Sequence, residues 1–518
     1  MARDSARQAK EIELKLEFDP ADAARLASHP ALRAGPAPQE EHQLISTYFD
    51  TPDGALRKAG VYLRVRENGS HIVQTIKTAK SETDLIERLE WEREITSRNP
   101  DLDGVDDTPL KPLLTAGVRA ALRPMFETQI RRHVFRILRD GSEIEVAIDQ
   151  GEIATKTGMQ AISELELELK RGKTKELFRL ARVLGRTVPL RLEVKSKAER
   201  GYALLKGGSL QVAKAAEIDI PPNMSAEEAF RAIARSCVRQ LVANEPILFA
   251  GRAEGLHQMR IGLRRLRAAI AIFADVVGDE TEKKIKTELK WITQELGPAR
   301  DLDVFAAEVL EPLRASHPSD VGLALTQRNF EAKRKEAYRR ANSAVRSERF
   351  RAAVLDLVAW VETGDWGSAG GEHRKAGRAR AVAEHAKAEL SKLRKRIKRK
   401  GSDIRQLSVM QRHKLRIRAK RLRYATEFFA GTFPGEASAK RRQESLAALK
   451  DVQDALGGLN DLATRHALIA DGLAVDAEQA ERAAVQAGLA APDTEDTLLD
   501  KAEQAFARFA AIDAFWKA

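Results

Sequence analysis

Glu11, Glu13 and Lys15 alternate along EIELK, and charge alternates again at Arg64 and Arg66, at Glu90, Glu92 and Glu94, and at Glu164, Glu166, Glu168 and Lys170. On a strand, residues two apart share a face. Each of these segments therefore presents a charged face and an apolar one, such as Ile12, Leu14 and Leu16, or Leu165, Leu167 and Leu169. The acids, together with Asp149, are hard oxygen donors of the kind that suit Mg²⁺ or Mn²⁺. Arg64, Arg66, Lys77 and Arg131 suit phosphate oxygens. Gathered around one cavity, the two sets become complementary once a metal-bound phosphate lies between them. The metal would screen like charge and polarise a phosphoryl oxygen, and a second ion, held in part by Glu92 or Glu168, would acidify water. For a single strand the competing reading is a solvated surface with exposed pairs of little energetic weight. Recurrence over several strands favours an enclosed, wet interior.

A second pattern occurs twice, as HQMRIGLRRLR at residues 257–267 and HKLRIRAKRLR at residues 413–423. At helical spacing, His257, Arg260, Arg264 and Arg267 form one cationic stripe, and His413, Arg416, Lys420 and Arg423 its counterpart. Arg265 and Arg421 also correspond, while Ile261, Leu266, Ile417 and Leu422 offer apolar anchors. Two such stripes suit a groove for a long polyanion, where arginines bridge adjacent phosphate oxygens and lysine adds a mobile charge. An isolated HxxR reads as helix surface; duplication reverses that preference. Nucleic acid offers the same backbone chemistry, but recurrent aromatic stacking positions are not evident.

These residues need two different scaffolds. From Glu11 to about Lys197, period-two alternation in EIELKLEF, GVYLRVR, HIVQTIK, RLEWEREI and SELELELK predicts antiparallel strands, with helices at DTPLKPLLTAGVRAAL and KTKELFRLARVLG. This is an α+β domain dominated by strands. Past the Pro pair in PPNMSAEEAF, where Ser225 and Glu228 have capping-box spacing, helical periodicity takes over. ELGPARDLDVF at 295–305 is answered by ALGGLNDLATR at 455–465, an offset close to that of the basic motifs. Two similar bundles related by an approximate twofold follow. Arg300 and Asp303 become Asn460 and Ala463, whereas Asp301 and Asp461 persist, as residues that would orient basic side chains or cap helices.

A chain of 518 residues exceeds one ordinary core. The formal net charge is +12, yet residues 374–423 alone carry +17, leaving −5 for the rest. A general basic bias cannot produce that concentration. Cys237 is the single cysteine, which excludes an intrachain disulfide and a cysteine metal cage. No stretch of about 18 apolar residues implies a membrane span, and the first ten residues lack an apolar signal segment, so cytoplasmic residence is expected.

The first pattern resembles the CYTH domains, the triphosphate tunnel metalloenzymes. EIELK matches their ExExK signature, and YFDTPDGAL, YLRVR, TIK, RLEWE, ELELEL and SKAERGY follow in the order of the inorganic triphosphatase branch, over about residues 8–205. The resemblance implies an eight-stranded antiparallel tunnel that binds triphosphate and divalent metal. It assigns metal binding to Glu11, Glu13, Glu90, Glu92, Glu166 and Glu168, and triphosphate binding to Lys15, Arg64, Arg66, Lys77, Arg131 and Lys195. Catalysis would rest on Glu11, Glu13, Lys15, Arg64, Arg66, Lys77, Glu92 and Glu168. The paired HxxR motifs resemble the CHAD domain over about residues 224–515, with 206–223 as linker. That resemblance implies two pseudo-symmetric four-helix bundles and polyphosphate binding by His257, Arg260, Arg264, Arg265, Arg267, His413, Arg416, Lys420, Arg421 and Arg423.

The expectation is an enzyme, a metal-dependent inorganic triphosphatase, joined to a polyphosphate-binding helical module. It would be cytoplasmic or associated with polyphosphate granules. A noncatalytic polyphosphate scaffold and a nucleic-acid binder are the alternatives.

Overall fold

The computed structural model describes residues 7–473 and 495–517, apart from residues 34, 36–38, 80–82, 209, 317, 320 and 368–371. The chain divides into two compact units. One comprises Met1–Lys214 with Val238–Ala250 and Arg346–Gly364; the other comprises Ala215–Cys237, Gly251–Val345 and Asp365–Ala518.

The first unit is built on nine strands: β1 (Arg7–Glu17), β2 (Glu40–Asp50), β3 (Val61–Asn68), β4 (His71–Thr78), β5 (Glu87–Ile95), β6 (Arg123–Arg139), β7 (Ser142–Thr155), β8 (Gly158–Arg171) and the two-residue β9 (Arg191–Leu192). Their order is β5-β4-β3-β2-β6-β7-β8-β1-β9, and β1 also pairs with β5. Residues 7–12 of β1 pair with β5 and residues 13–17 with β8, both antiparallel, so β1 closes eight strands into a barrel. Closure removes the edges an open sheet would expose.

The barrel is inverted relative to an oily core. Leu14, Leu63, Val65, Leu165 and Leu167 are buried on the outer side of their strands. Residues 102–122 cover part of that shell, where Val105, Leu110 and Val118 pack with Leu63, Val65, Ile76 and Trp91. Helix α1 (Lys175–Gly185), with buried Leu177, Phe178, Leu180 and Leu184, packs on β8 and against α7 (Glu348–Thr363). The opposite faces of the same strands turn charge inward.

Helix α2 (Lys197–Leu205) plugs one end of this interior. Ser196 starts it through a capping box with Glu199, and Tyr202 packs edge-on against Phe126, which stacks on Tyr48. Leu44, Ile130, Ile153 and Ile162 complete this apolar stopper.

The second unit contains α4 (Ala253–Ile272), α5 (Glu280–Phe305), α6 (Val321–Arg346, its final residue in the first unit), α8 (Val382–Gly401), α9 (Val409–Phe428), α10 (Glu436–Leu473) and α11 (Glu495–Ala511). Helix α3 (Ala226–Val242) opens with the expected box, Ser225 Oγ accepting from the Glu228 N–H at 3.2 Å. Helix α4 packs on α5, α9 on α8 and α10, and α4 on α9. None of the described helices is long and apolar enough to cross a membrane.

Candidate active site and polyanion surface

The barrel encloses a cavity of about 210 Å³ lined by eight cationic and seven acidic side chains, with Tyr48, Tyr62 and the start of α2 at its closed end. Register explains the convergence. Glu13 faces Glu168 and Lys15 faces Glu166 across β1 and β8, while Lys77 faces Glu90 across β4 and β5. Toward the plug, Lys15 Nζ lies 2.8 Å from Glu166 and 3.3 Å from Glu13. Lys197 Nζ reaches Asp149 at 2.8 Å, Glu164 at 2.6 Å and Glu166 at 2.8 Å. Arg132 donates to both oxygens of Asp149 at 2.7 Å and to Glu166 at 2.5 Å. On the β1–β5 side, Arg88 clasps Glu11 at 2.8 and 3.0 Å, and Lys77 sits 2.9 Å from Glu90.

This balance is not uniform. Burial alone would raise the Glu11 carboxyl, yet Lys77 and Arg88 hold it well below the ordinary range. Burial is likewise outweighed at Glu166, by Lys15, Lys197 and Arg132. Glu90 behaves oppositely. Burial and the charges of Glu11 and Glu92 push it up to about 7, against the pull of Lys77 and Arg64. Glu168 is also raised, first by burial. Across the cavity, burial and the like charges of Arg64 and Arg132 push Arg66 down to about 10; its Nε donates to Ser46 Oγ at 3.2 Å. The interior thus holds acids with too little positive charge and an arginine with too little negative charge. A polyvalent anion carrying a divalent cation relieves both.

The helical unit shows a different electrostatic arrangement. His257, Arg260 and Arg264 are half-buried along α4, and Arg416, Lys420 and Arg423 along α9. His257 Nδ1, Arg260 Nη1 and the Nε atoms of Arg264, Arg416 and Arg423 are buried with no hydrogen-bond acceptor among the described residues. Arg260 has Asp301 only at 3.6 Å, and Arg423 has Glu427 at 3.5 Å. Burial and the charge of Arg300 lower the His257 imidazole. Buried donors without acceptors are costly and uncommon. Their grouping on two packed helices gives a surface whose chemistry suits anionic oxygens.

Residues 9–202 match the CYTH domain model and residues 232–470 the CHAD domain model. The chain carries a CYTH domain and a CHAD domain. An inorganic triphosphatase of Haemophilus influenzae is 35% identical over 204 residues, which span 38% of this chain and 55% of that relative, about half its length. The crystal structure of the CHAD domain from the plant Ricinus communis is 27% identical, covering 59% of this chain and 98% of its own, with a TM-score of 0.45. PptA from Streptomyces chartreusis is 18% identical, covering 57% of this chain and 98% of its own, with a TM-score of 0.34.

Within the CYTH barrel, Glu11, Glu13, Lys15, Arg64, Arg66, Lys77, Glu90, Glu92, Glu166 and Glu168 all line the cavity. Two expected phosphate contacts do not. Arg131 is exposed and donates to Gln150 at 3.3 Å, because its strand turns alternate residues inward and Arg132 takes the inner place. Lys195 is half-buried and absent from the lining; its backbone N–H donates to Glu193, and Lys197, at the first turn of α2, enters instead. Arg88, Glu145 and Lys170 also line the cavity. Arg88 was legible, since it lies two residues before Glu90.

The carboxylates fit a divalent cation. Asp149, Glu164 and Glu166 bring oxygens within 4.8 Å of one another. Lys197 already spans that triad, and Arg200 binds Glu164 from behind. The charge-deficient acids are a better match. Glu13 Oε2 is buried without a hydrogen bond, and Glu90 is pushed up by burial and by the neighbouring charges of Glu11 and Glu92, a repulsion that a bound cation relieves.

On the CHAD helices, His257, Arg260, Arg264 and Arg416, Lys420, Arg423 follow their stripes. Arg267 and His413 are exposed, and Arg421 is half-buried. Arg265 is turned from solvent, its guanidinium 5.5 Å above the Phe428 ring, where it ties α4 to α9. Ile417, expected as an apolar anchor, is 46% exposed because the inward face of α9 is formed by Leu415, Ala419 and Leu422. Asp301 lies beside Arg260, while Asp303 accepts from Arg334 and Tyr338 on α6, both at 2.6 Å. The side chains of Asn460, Asp461 and Ala463 lie outside the described residues.

Proposed function

We propose that the chain hydrolyses inorganic triphosphate to pyrophosphate and phosphate in the CYTH barrel, with Mg²⁺ or Mn²⁺, and binds polyphosphate on the CHAD helices. The observation that carries this reading is the split charge imbalance of one enclosed cavity, Arg66 on one wall against Glu90 and Glu168 on others. The named activity of the Haemophilus influenzae relative supports it. Arg64, Arg66 and Arg132 offer paired donors to phosphoryl oxygens, and Lys15, Lys77 and Lys197 add point charges. Glu11, Glu13, Glu90, Glu92, Glu166 and Glu168 would hold the cation. When bound, that cation supplies Lewis-acid polarisation and a water of lowered pKa. Water attacks a terminal phosphorus, the anhydride P–O bond breaks, and the leaving pyrophosphate keeps the bond pair. The proton lost by the attacking water passes to solvent, so none of the carboxylates that hold the cation has to act as the base.

The functional modules are residues 8–205 and 224–515 with 206–223 between them, the helical one as two pseudo-symmetric four-helix bundles. Equivalent packing of α4 on α5 and of α9 on α10 supports that symmetry. We place the protein in the cytoplasm, in association with polyphosphate granules. A substrate panel tests the activity. Phosphate release from tripolyphosphate with Mg²⁺ or Mn²⁺ should exceed release from nucleoside triphosphates. No release with either metal from neutral to alkaline pH would leave a noncatalytic polyphosphate scaffold, and preferential retention of RNA or DNA would favour the nucleic-acid reading.

A further inference from the structure

Gly297 on α5 and Gly457 on α10 occupy corresponding places in the two companion segments, as Arg260 and Arg416 do in the two motifs. A Cβ built on Gly457 would lie 2.9 Å from Arg416 Nη2, 3.4 Å from its Cζ and 3.5 Å from its Nε; one built on Gly297 would lie 3.2 Å from Arg260 Nη1. Neither glycine has a positive φ; Gly297 precedes Pro298 within α5, where a Cβ also crowds the proline ring, whereas no such backbone demand applies at Gly457. Glycine inside a helix is also less favourable than alanine. What the missing Cβ provides, in both halves, is room for a guanidinium against the neighbouring helix.

We propose that Gly297 and Gly457 are positioning residues of the anion surface, bare backbone seats that hold Arg260 and Arg416 toward the polyphosphate. This rests on the polyphosphate reading of the CHAD helices. The atoms a new methyl group would meet belong to the tip of a flexible side chain, so alanine is accommodated by moving the arginine and not the helix. Fold and anion contact then separate. The displacement is larger at Gly457, where the contact is shorter than real Cβ atoms tolerate, than at Gly297. Gly458 provides a contrast, since its Cβ would lie 2.9 Å from Leu498 Cδ2 in the packing of α10 against α11.

The test uses the full chain, long-chain inorganic polyphosphate as probe, and thermal unfolding of each variant. Gly457→Ala should leave the melting temperature unchanged or raised while weakening polyphosphate binding about tenfold, the scale of one charged hydrogen-bonding group. Gly297→Ala should weaken it less, and Gly458→Ala should lower the melting temperature. In an Arg416→Ala background, Gly457→Ala should cost no further affinity, because both changes remove the same contact. Wild-type affinity in Gly457→Ala would overturn the proposal, as would an equal loss in the Arg416→Ala background or a loss that tracks destabilisation. A wild-type chain that does not bind polyphosphate would instead overturn the reading beneath it.

Discussion

The barrel and the α4–α9 surface both gather cations, but they balance them differently. Inside the barrel, Lys15, Lys77, Arg88, Arg132 and Lys197 each have a carboxylate within 2.9 Å. On α4 and α9, Arg260 and Arg423 have carboxylates only at 3.6 and 3.5 Å, and one guanidinium nitrogen each of Arg260, Arg264, Arg416 and Arg423 is buried without a hydrogen bond among the described residues. Interleaved acids and bases fix each side chain, admit a metal and favour a short anion in one geometry. A stripe of cations alone attracts any phosphate chain and tolerates sliding, because flexible donors can exchange one oxygen for the next. The first arrangement suits bond breaking, which needs preorganised charge; the second suits retention.

The sharpest way to break this contrast lies within the barrel. Arg66→Ala removes the uncompensated cation and leaves no carboxylate stranded, so kcat/KM for tripolyphosphate should fall about 10² to 10³-fold with urea-unfolding stability nearly unchanged. Arg66→Lys should restore only part, since lysine lacks the planar fork. Arg132→Ala instead removes the paired donor of Asp149 and one of three cations on Glu166, leaving Lys197 and Lys15 in place, and should cost about 2 kcal/mol of stability. Equal destabilisation by both changes would show that Arg66 is structurally paired after all. On the helical surface, Arg260→Ala or Arg416→Ala should weaken polyphosphate binding about 10-fold to 100-fold and reduce the slope of affinity against log salt by about one. Hydrolysis of tripolyphosphate should be unaffected. A salt-independent loss would contradict a counterion-driven contact.

The smallest effect calibrates both regions. Glu245 is buried away from either site, and its carboxyl is pushed up to about 8, first by burial and then by Glu193 and Glu17, against the pull of Arg191 and Arg351. The folded pKa is raised, so its stability contribution is complete below the unfolded value and is lost as pH rises through about 8. Glu245→Gln should therefore match the wild type in urea unfolding at pH 4 and exceed it at pH 8.5. Identical curves at both pH values would show that the carboxyl is solvated or paired, and that burial without compensation is cheaper here than the barrel's charge split implies.

The barrel's sidedness was legible because period-two alternation of charge names the inward residues once one strand is phased. EIELK and YLRVR place all their charges in the cavity, and ELELEL places Glu166 and Glu168 there, with Glu164 paired to Lys197 and Arg200. The phase failed where two candidates adjoin. The Arg131–Arg132 doublet offers no internal cue, and only pairing of β6 with β7 sets Arg132 opposite Asp149. Lys197 was hidden for another reason: it reaches the cavity from a plugging helix, whose entry into the barrel is a tertiary event without local periodicity. On the helices, the stripes were legible from spacing three and four. The inward turn of Arg265 was not, because it depends on Phe428 from the other motif helix. The seats at Gly297 and Gly457 likewise depend on which helix each arginine crosses.

The most direct test measures two activities on the same purified chains: Mg²⁺-dependent phosphate release from tripolyphosphate, and binding of long-chain polyphosphate. Glu13→Gln should lose hydrolysis and keep binding, while an Arg260→Ala, Arg416→Ala double variant should lose binding and keep hydrolysis. If either folded variant lost both activities together, or Glu13→Gln hydrolysed at the wild-type rate, the division of labour between barrel and helices would be wrong.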